Sequence, residues 1–320
     1  MNILLSMPHD GQSNHYIIDS LQEMGHKVIF VDHRHNIEHA AKSVPQIMKY
    51  ENIDMMLVLY LVPTLTYDVN YIRHLKVQFP QAKYVSWCFD ATIDGLRVPE
   101  NDALVDIIKE YDYFFTVCDG QVEDLKAKGV NAFWAKEGAS PNAIVYHGLE
   151  KEYDVSFIGQ IGHPRIHKER LPLLKNIIRR FDKTLIAGPL LVNDEDIIPY
   201  HLKRPTYTDH EHARIVAKSK VNLAHSGWPD INHYFSARTY RLMSNGGFVL
   251  ANHTKGIEDI FEVGKEIVTY KDTKECLEKI KFYIENDTER EEIARAGRVR
   301  TMDRFTFRHS LQDILWRVSQ

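Results

Sequence analysis

The sequence predicts an α/β protein made of two doubly wound, Rossmann-like domains. Short apolar runs alternate with amphipathic stretches along all 320 residues, and this alternation is typical of stacked βαβ units with parallel sheets. The rhythm breaks once, in a stretch containing Gly, Pro and Asn between residues 138 and 152, and then resumes. We therefore predict one domain over residues 1–148 and a second over residues 149–320.

The elements of the first domain follow from its apolar runs. The predicted strands are Asn2–Met7, Lys27–Asp32, Asp54–Tyr60, Lys83–Phe89, Tyr113–Val117 and Ala132–Ala135. A helix is predicted from Tyr16 to Met24, because Gly25 supplies an end signal directly after it. Further helices are expected to fill the gaps between the strands.

The second domain shows the same order of elements. The predicted strands are Asp154–Gly159, Lys183–Gly188, Lys220–Ala224, Phe248–Ala251 and Ile267–Tyr270. Three Ser/Thr/Asp-x-x-Glu spacings predict capping boxes that begin helices, at residues 208–211, 272–275 and 288–291.

Composition and charge exclude several classes of protein. No run approaches the roughly 18 uncharged apolar residues of a membrane-spanning helix, and the N-terminus lacks the basic start of a signal peptide. Three cysteines without a CxxC spacing indicate reduced thiols, with neither a disulfide framework nor a structural zinc site. We therefore expect a cytoplasmic protein without a membrane span.

The charge is unevenly distributed between the two halves. The net charge is −8 for residues 1–150 and +4 for residues 151–320. The second half is therefore the better place for an anionic ligand. A protein that binds duplex nucleic acid is more often basic throughout, so this balance disfavours nucleic acid as the main partner.

One segment of the second half, residues 221–251, has features of an anion site. A buried strand leads into a loop and then into a helix that begins near residues 233–236, with Arg238 in its first turn. Free N–H groups and the helix dipole favour negative charge there, so a diphosphate would fit. The alternative is that Arg238 pairs with an acidic neighbour and that Gly246 and Gly247 only end the helix.

A second candidate follows the strand that ends at Gly159. Gly159 and Gly162 allow main-chain N–H groups to approach a ligand closely, and Arg165, Lys168 and Arg170 lie just beyond. The alternative is a tight turn followed by a solvated basic helix.

The order of motifs resembles the C-terminal domain of spore-maturation-type (CgeB-like) group-1 glycosyltransferases. The resemblance covers about residues 150–315, and in the first half it is limited to Trp87–Asp90 and Tyr111–Thr116. The motifs are Asp154–Gly159, the strand ending in Gly188, Tyr207–Glu211, Lys220–Leu223, Arg238–Tyr240, Asn245–Leu250, Phe261–Glu266 and Glu289–Arg298.

The resemblance implies a GT-B architecture, in which two Rossmann-like domains face a central cleft. The C-terminal domain would bind a nucleoside diphosphate sugar, the N-terminal domain would bind the acceptor, and the last helix would cross back to the first domain. Such enzymes usually need no metal and no cofactor beyond the donor substrate. The implied donor-binding residues are Gly159, Arg165, Gly188, Tyr207, His233, Arg238, Tyr240, Arg241 and Glu258.

Two acidic positions of the family are occupied by basic residues here. Where the family usually reads Arg-x-Phe-Glu, this chain has Arg238-Thr-Tyr-Arg241, and the second Glu of retaining relatives is His233. The ribose contact and the stereochemical outcome are therefore open. Glu258 or Glu266 could substitute, although each also fits a surface glutamate.

The general base is expected at strand ends of the first domain. His9 and Asp10 follow the first strand, and Asp90 follows the fourth. Each could take the proton of an acceptor hydroxyl, but Asp10 also fits a turn residue and Asp90 a helix cap.

With this resemblance, we expect a metal-independent glycosyltransferase that moves a sugar from a nucleoside diphosphate sugar to an acceptor hydroxyl. The acceptor is open: a saccharide, a small molecule or a modified DNA. Three alternatives remain: transfer to hydroxymethylated DNA bases, non-catalytic binding of a nucleotide-sugar, and epimerisation of a nucleotide-sugar.

Overall fold

A computed structural model describes residues 1–8, 13–33, 37–59, 67–89, 102–162, 168–202 and 208–320. The chain divides into two compact units, residues 1–137 together with 307–320, and residues 138–306. The predicted α/β class is confirmed, and each unit contains one parallel sheet.

The described strands of the first unit form one parallel sheet in the order β2-β1-β3-β4-β5-β6. The strands are β1 (Asn2–Met7), β2 (Lys27–Asp32), β3 (Met55–Leu59), β4 (Lys83–Cys88), β5 (Tyr113–Thr116) and β6 (Ala132–Trp134). The helices are α1 (Ser13–Glu23), α2 (Ile37–Glu51), α3 (Val69–Gln78), α4 (Asp102–Lys109) and α5 (Val122–Ala127). All residues of β3 are buried, as a strand covered on both faces requires.

The second unit repeats this plan, with its strands in the order β12-β11-β10-β7-β8-β9. The strands are β7 (Tyr153–Ile158), β8 (Thr184–Ala187), β9 (His201–Leu202), β10 (Ser219–Ala224), β11 (Val249–Asn252) and β12 (Val268–Tyr270). The helices are α6 (Arg170–Ile178), α7 (Asp209–Lys218), α8 (Ala237–Ser244), α9 (Thr273–Glu285) and α10 (Asp287–Arg304). The strand β9 was not predicted, because two residues carry no readable pattern.

The last helix and the segment before β7 are each assigned to one of the two units by the contacts that they make. Helix α11 (Phe307–Val318) belongs to the first unit, where the ring of Phe307 lies 6.0 Å from that of Tyr16 in α1. Residues 138–148 belong to the second unit, although the sequence placed them before the boundary. They are held there by the side-chain amide of Asn245, which donates to the carbonyl oxygen of Ile144 at 2.7 Å.

Helix starts agree with the predicted caps in part. Thr208 and Glu211 form a complete capping box at α7. Asp272 caps α9, but the carboxylate of Glu275 accepts from the N–H of residue 271 instead of the cap residue. The box predicted at 288–291 is wrong, because α10 already begins at Asp287 and residue 288 lies inside it.

No helix in the described part of the chain is long and apolar enough to cross a membrane.

Candidate functional site

The candidate site lies at the carboxyl ends of β7 and β10, which are neighbours in the sheet of the second unit. From β7 the chain builds β8 and β9 on one side and then returns to build β10, β11 and β12 on the other. This reversal of strand order is a topological switch point, where loops diverge and open α/β sheets bind their ligands. Arg238 and Gly159 both lie at this position.

Arg238 is the second residue of α8, as the sequence predicted. Ser236 caps the helix, and its hydroxyl accepts from the N–H of Arg238 at 3.4 Å. The guanidinium folds onto the sheet: Nε donates to the carbonyl oxygen of Ile158 at 2.5 Å, and Nη1 donates to that of His225 at 3.2 Å. Its Cζ lies 5.0 Å from the centre of the Phe157 ring.

Two glycines make room for this arrangement. A Cβ on Gly159 would lie 2.8 Å from Cζ and 2.9 Å from Nε of Arg238. Gly188 has a φ of +116°, and a Cβ there would lie 2.6 Å from the carbonyl oxygen of Gly159. The structure therefore places Gly159 and Gly188 beside Arg238, where any larger residue would collide with the site.

Arg170 belongs to the second candidate anion site of the sequence, but its burial was not predicted. The sequence allowed a solvated basic helix here, but Arg170 is only 2% exposed. Its Nη1 donates to the carbonyl oxygen of Gln160 at 3.1 Å, and its Nη2 donates to that of His225 at 2.6 Å. A signal existed in the spacing, because Arg170 occupies the first position of the buried stripe that continues with Leu173, Leu174 and Ile177.

The site concentrates positive charge in a poorly solvated place. Burial and the neighbouring Arg238 lower the pKa of Arg170 to about 8. Burial and the two arginines also lower the pKa of His225 to about 3, so its imidazole is neutral. The Tyr270 hydroxyl, whose pKa is raised by burial, lies 2.9 Å from Nδ1 of His225, within hydrogen-bond distance. An anion is the natural counterpart of such a site.

A polar clamp fixes the loop between β10 and α8. The N–H of Ser226 donates to Oδ1 of Asn252 at 2.7 Å, and Nδ2 of Asn252 donates back to the carbonyl oxygen of Ser226 at 3.2 Å. The hydroxyl of Ser226 in turn accepts from the N–H of Ser236 at 3.3 Å. This clamp fixes the carbonyl group of His225, whose oxygen accepts hydrogen bonds from both arginines.

Arg241 and His233, the two residues that the resemblance compares with glutamates, each lie beside a carboxylate. Nη2 of Arg241 donates to Oδ1 of Asp209 at 2.8 Å, and both side chains are largely buried. His233 has a left-handed backbone, with φ at +55°, and its Nε2 lies 2.8 Å from Oδ2 of Asp259. Each position thus keeps a carboxylate nearby, supplied by a different part of the chain.

Two other predicted donor-binding residues serve other contacts. Tyr240 is 1% exposed and packs against the rings of Phe261 and Phe305, so its side chain belongs to the core. Glu258 accepts from His253 at 2.8 Å, and this hydrogen bond lowers the pKa of Glu258. That contact agrees with the surface glutamate that the sequence left open.

Five predicted residues lie outside the described part of the chain. These are the general-base candidates His9, Asp10 and Asp90, and the donor-binding candidates Arg165 and Tyr207. Among the described residues, no group of three His, Cys, Asp or Glu side chains is placed to hold a metal ion.

Comparison with known proteins agrees with the resemblance in the second half. Residues 170–316 match a family model described as "Glycosyl transferase-like". Over 98% of the chain and 97% of its own length, a glycosyltransferase from Rickettsia africae is similar, with a TM-score of 0.69 and 13% identity. The chain has the GT-B fold. A comparison with curated protein sequences gives no significant match.

Two further solved structures with the GT-B fold match nearly end to end. HepE of Anabaena, solved in complex with UDP, covers all of both chains with a TM-score of 0.66 and 12% identity. Sucrose-phosphate synthase of Thermosynechococcus elongatus covers 99% of this chain and 98% of its own, with a TM-score of 0.68 and 10% identity. Residues 170–316 thus match a glycosyltransferase-like domain within a chain that has the GT-B fold.

Proposed function

We propose that the protein transfers a sugar from a nucleoside diphosphate sugar to an acceptor hydroxyl, and that its second unit binds the donor. The observation that carries this proposal is the guanidinium of Arg238 at the carboxyl ends of β7 and β10. The matching family model and the GT-B fold support the same assignment.

The geometry suits a diphosphate leaving group. When the glycosidic bond breaks, negative charge develops on the diphosphate, and donors that are already in place stabilise that charge most effectively. Arg238 is held in place by main-chain carbonyls, and it lies in the first turn of α8, where the positive end of the helix dipole favours an anion. Arg238 would therefore bind the diphosphate both in the donor and in the transition state.

The finer assignments belong to this proposal as well. Because solved HepE structures contain UDP or UDP-glucose, a uridine nucleotide is the first donor to test. We propose that Arg165 and Tyr207 complete the donor site and that His9, Asp10 or Asp90 takes the acceptor proton. We also propose membership of the spore-maturation subtype and independence from metals.

The deciding experiment measures binding of UDP, ADP and GDP by isothermal titration calorimetry. We expect Arg238→Ala to weaken binding about 30- to 100-fold, since it removes charge-assisted hydrogen bonds to the phosphates. The matched control is Arg179→Ala, which removes an arginine that is 66% exposed at the end of α6 and should bind as the wild type does. Equal affinity of wild type and Arg238→Ala would refute the phosphate assignment.

Turnover is tested in the same preparations. Wild-type protein with UDP-glucose should release UDP slowly, Arg238→Ala should release none, and addition of EDTA should leave the rate unchanged. A dependence on divalent cations would overturn the metal-independent mechanism.

A second candidate function is binding of a nucleotide-sugar without turnover. It is favoured by Arg241 and His233, which stand where the resemblance places glutamates. Their side chains contact Asp209 and Asp259. Under this alternative the protein binds UDP in the calorimeter, but no UDP-sugar loses its sugar with or without a cell extract as a source of acceptors.

A further inference from the structure

Arg170 has an unusual environment for a buried arginine. Its two Nη groups donate to main-chain carbonyls, those of Gln160 and His225. Its Nε is buried and has no hydrogen-bond partner. Buried charges are normally paired with an opposite charge, because an uncompensated one costs several kcal/mol. Because burying this charge costs free energy, Arg170 is expected to serve a role other than packing.

Arg170 and Arg238 are joined through shared groups. The carbonyl oxygen of His225 accepts from Nη2 of Arg170 at 2.6 Å and from Nη1 of Arg238 at 3.2 Å. Both guanidiniums also face the ring of Phe157, at 5.5 Å and 5.0 Å from its centre. A change at Arg170 would therefore reach Arg238 through the carbonyl and the ring.

Among the described residues, the groups that face Arg170 provide no negative charge. They are Arg238 from α8, the neutral His225 from the loop after β10, Tyr270 from β12, and Tyr234 from the loop before α8. Burial keeps the pKa of Tyr270 well above its usual value, so this hydroxyl is uncharged. A diphosphate bound to Arg238 would supply the missing negative charge within reach of both guanidiniums.

We propose that Arg170 is a positioning residue for the donor: it holds the guanidinium of Arg238 in place and supplies a second positive charge from beneath it. This inference rests on the proposed function, in which Arg238 meets the diphosphate. With 2% of its surface exposed, Arg170 acts through Arg238 and the His225 carbonyl.

A purely structural role for Arg170 predicts different results. If Arg170 only fastens the start of α6 to the sheet, its replacement lowers stability and loosens the whole pocket, so that affinities for UDP and for uridine change together. If it positions Arg238, the loss falls on the phosphate contacts alone. Uridine, which lacks phosphate, therefore distinguishes the two roles.

The test compares Arg170→Lys and Arg170→Gln with wild type, Arg238→Ala and the control Arg179→Ala. Calorimetry gives the affinity for UDP, and ligand-observed NMR gives that for uridine. We expect Arg170→Gln to weaken UDP binding about 10- to 100-fold, since a misplacement of about 1 Å can cost that much. We expect Arg170→Lys, which keeps the charge, to recover part of the loss. Uridine affinity should stay within about twofold in both.

Each result has a defined meaning. If Arg238→Ala loses UDP affinity but both Arg170 variants bind UDP as wild type does, this inference fails and the proposed function stands. Parallel losses for UDP and uridine would also overturn it. If wild-type protein binds none of UDP, ADP and GDP, the proposed function and this inference fall together. Thermal melting of each variant shows whether it is folded, and inorganic pyrophosphate on wild type tests the phosphate contribution without any substitution.

Discussion

Replacing Gly159 with alanine tests the site without changing any charge. Gly159 has no positive φ, so its backbone tolerates alanine, and the added methyl group points at the guanidinium of Arg238. The Cβ of an alanine at position 159 would lie 2.8 Å from Cζ of Arg238 and still closer to its Nη2. An ordinary contact begins at 3.4 Å, so Cζ must move by at least about 0.6 Å, and Nη2 must move further.

This shift is sufficient to break the hydrogen bonds that hold Arg238. Its Nε sits 2.5 Å from the carbonyl oxygen of Ile158, and such bonds weaken steeply when their distance and angle change. Water can replace the hydrogen-bond partners of a displaced guanidinium, so the free energy of unfolding should fall by only about 1 to 2 kcal/mol. UDP affinity should fall about 10- to 100-fold, because the phosphate contacts depend on position.

Calorimetry with UDP and urea denaturation of the same samples measure both effects. Gly264→Ala is the matched control: it has open space around it but a φ of +89°, so alanine there costs stability and leaves the site intact. We therefore expect Gly264→Ala to melt earlier and to bind UDP normally. If Gly159→Ala keeps wild-type UDP affinity while it folds, the contact between Gly159 and Arg238 does not matter for the ligand.

Three further predictions concern stability. The native pKa of His225 is lowered to about 3, and that of buried His212 lies well below 6.5. The unfolded state therefore binds more protons below pH 6.5, and the free energy of unfolding should fall there by about 1.4 kcal/mol per pH unit for each group. Urea titrations at pH 7, 6 and 5 check this, and the slope should shrink in His225→Gln. Thr208→Ala removes the capping box of α7 and should cost about 1 kcal/mol in thermal or urea unfolding; an unchanged midpoint contradicts the cap. Gly297→Ala would place a Cβ onto the main-chain oxygen of Glu266 and should cost about 1 to 3 kcal/mol, so wild-type stability would disprove this packing.

Much of the fold could be predicted because the strands are buried on both faces. A fully buried run such as β3 (Met55–Leu59) or the middle of β7 (Tyr153–Ile158) has few polar residues, and its length separates it from a helix. The exact ends of the helices are harder to predict from the sequence. The expected capping box at 288–291 failed because only Asn286 separates α9 from α10, and α10 begins at Asp287, one residue before the Thr.

The site could be predicted only where one local pattern decides it. The position of Arg238 in the first turn of α8 follows from Ser236 and the strand before it, and both are close in sequence. Its contact with Ile158 spans 80 positions, and the pairing of Arg241 with Asp209 spans 32. Such contacts depend on which strands become neighbours, which no local pattern contains.

Arg170 shows the same limit more sharply. A run of basic residues normally indicates a solvated face, because few proteins bury an arginine without an acidic partner. Only the i, i+3, i+4, i+7 spacing of Arg170 with Leu173, Leu174 and Ile177 pointed inward. The charge pattern alone fitted a ligand site and a solvated helix equally well, so the sequence left both open.

Three main-chain carbonyls of the described residues hold the two arginines, those of Ile158, Gln160 and His225. A side-chain substitution at any of these three positions leaves the acceptor oxygen in the chain. An alanine scan would therefore register little at 158 or 160 and would underestimate how much of this scaffold serves the ligand. Relatives could likewise differ at these positions while keeping the same cradle, so sequence drift there need not signal a change of chemistry.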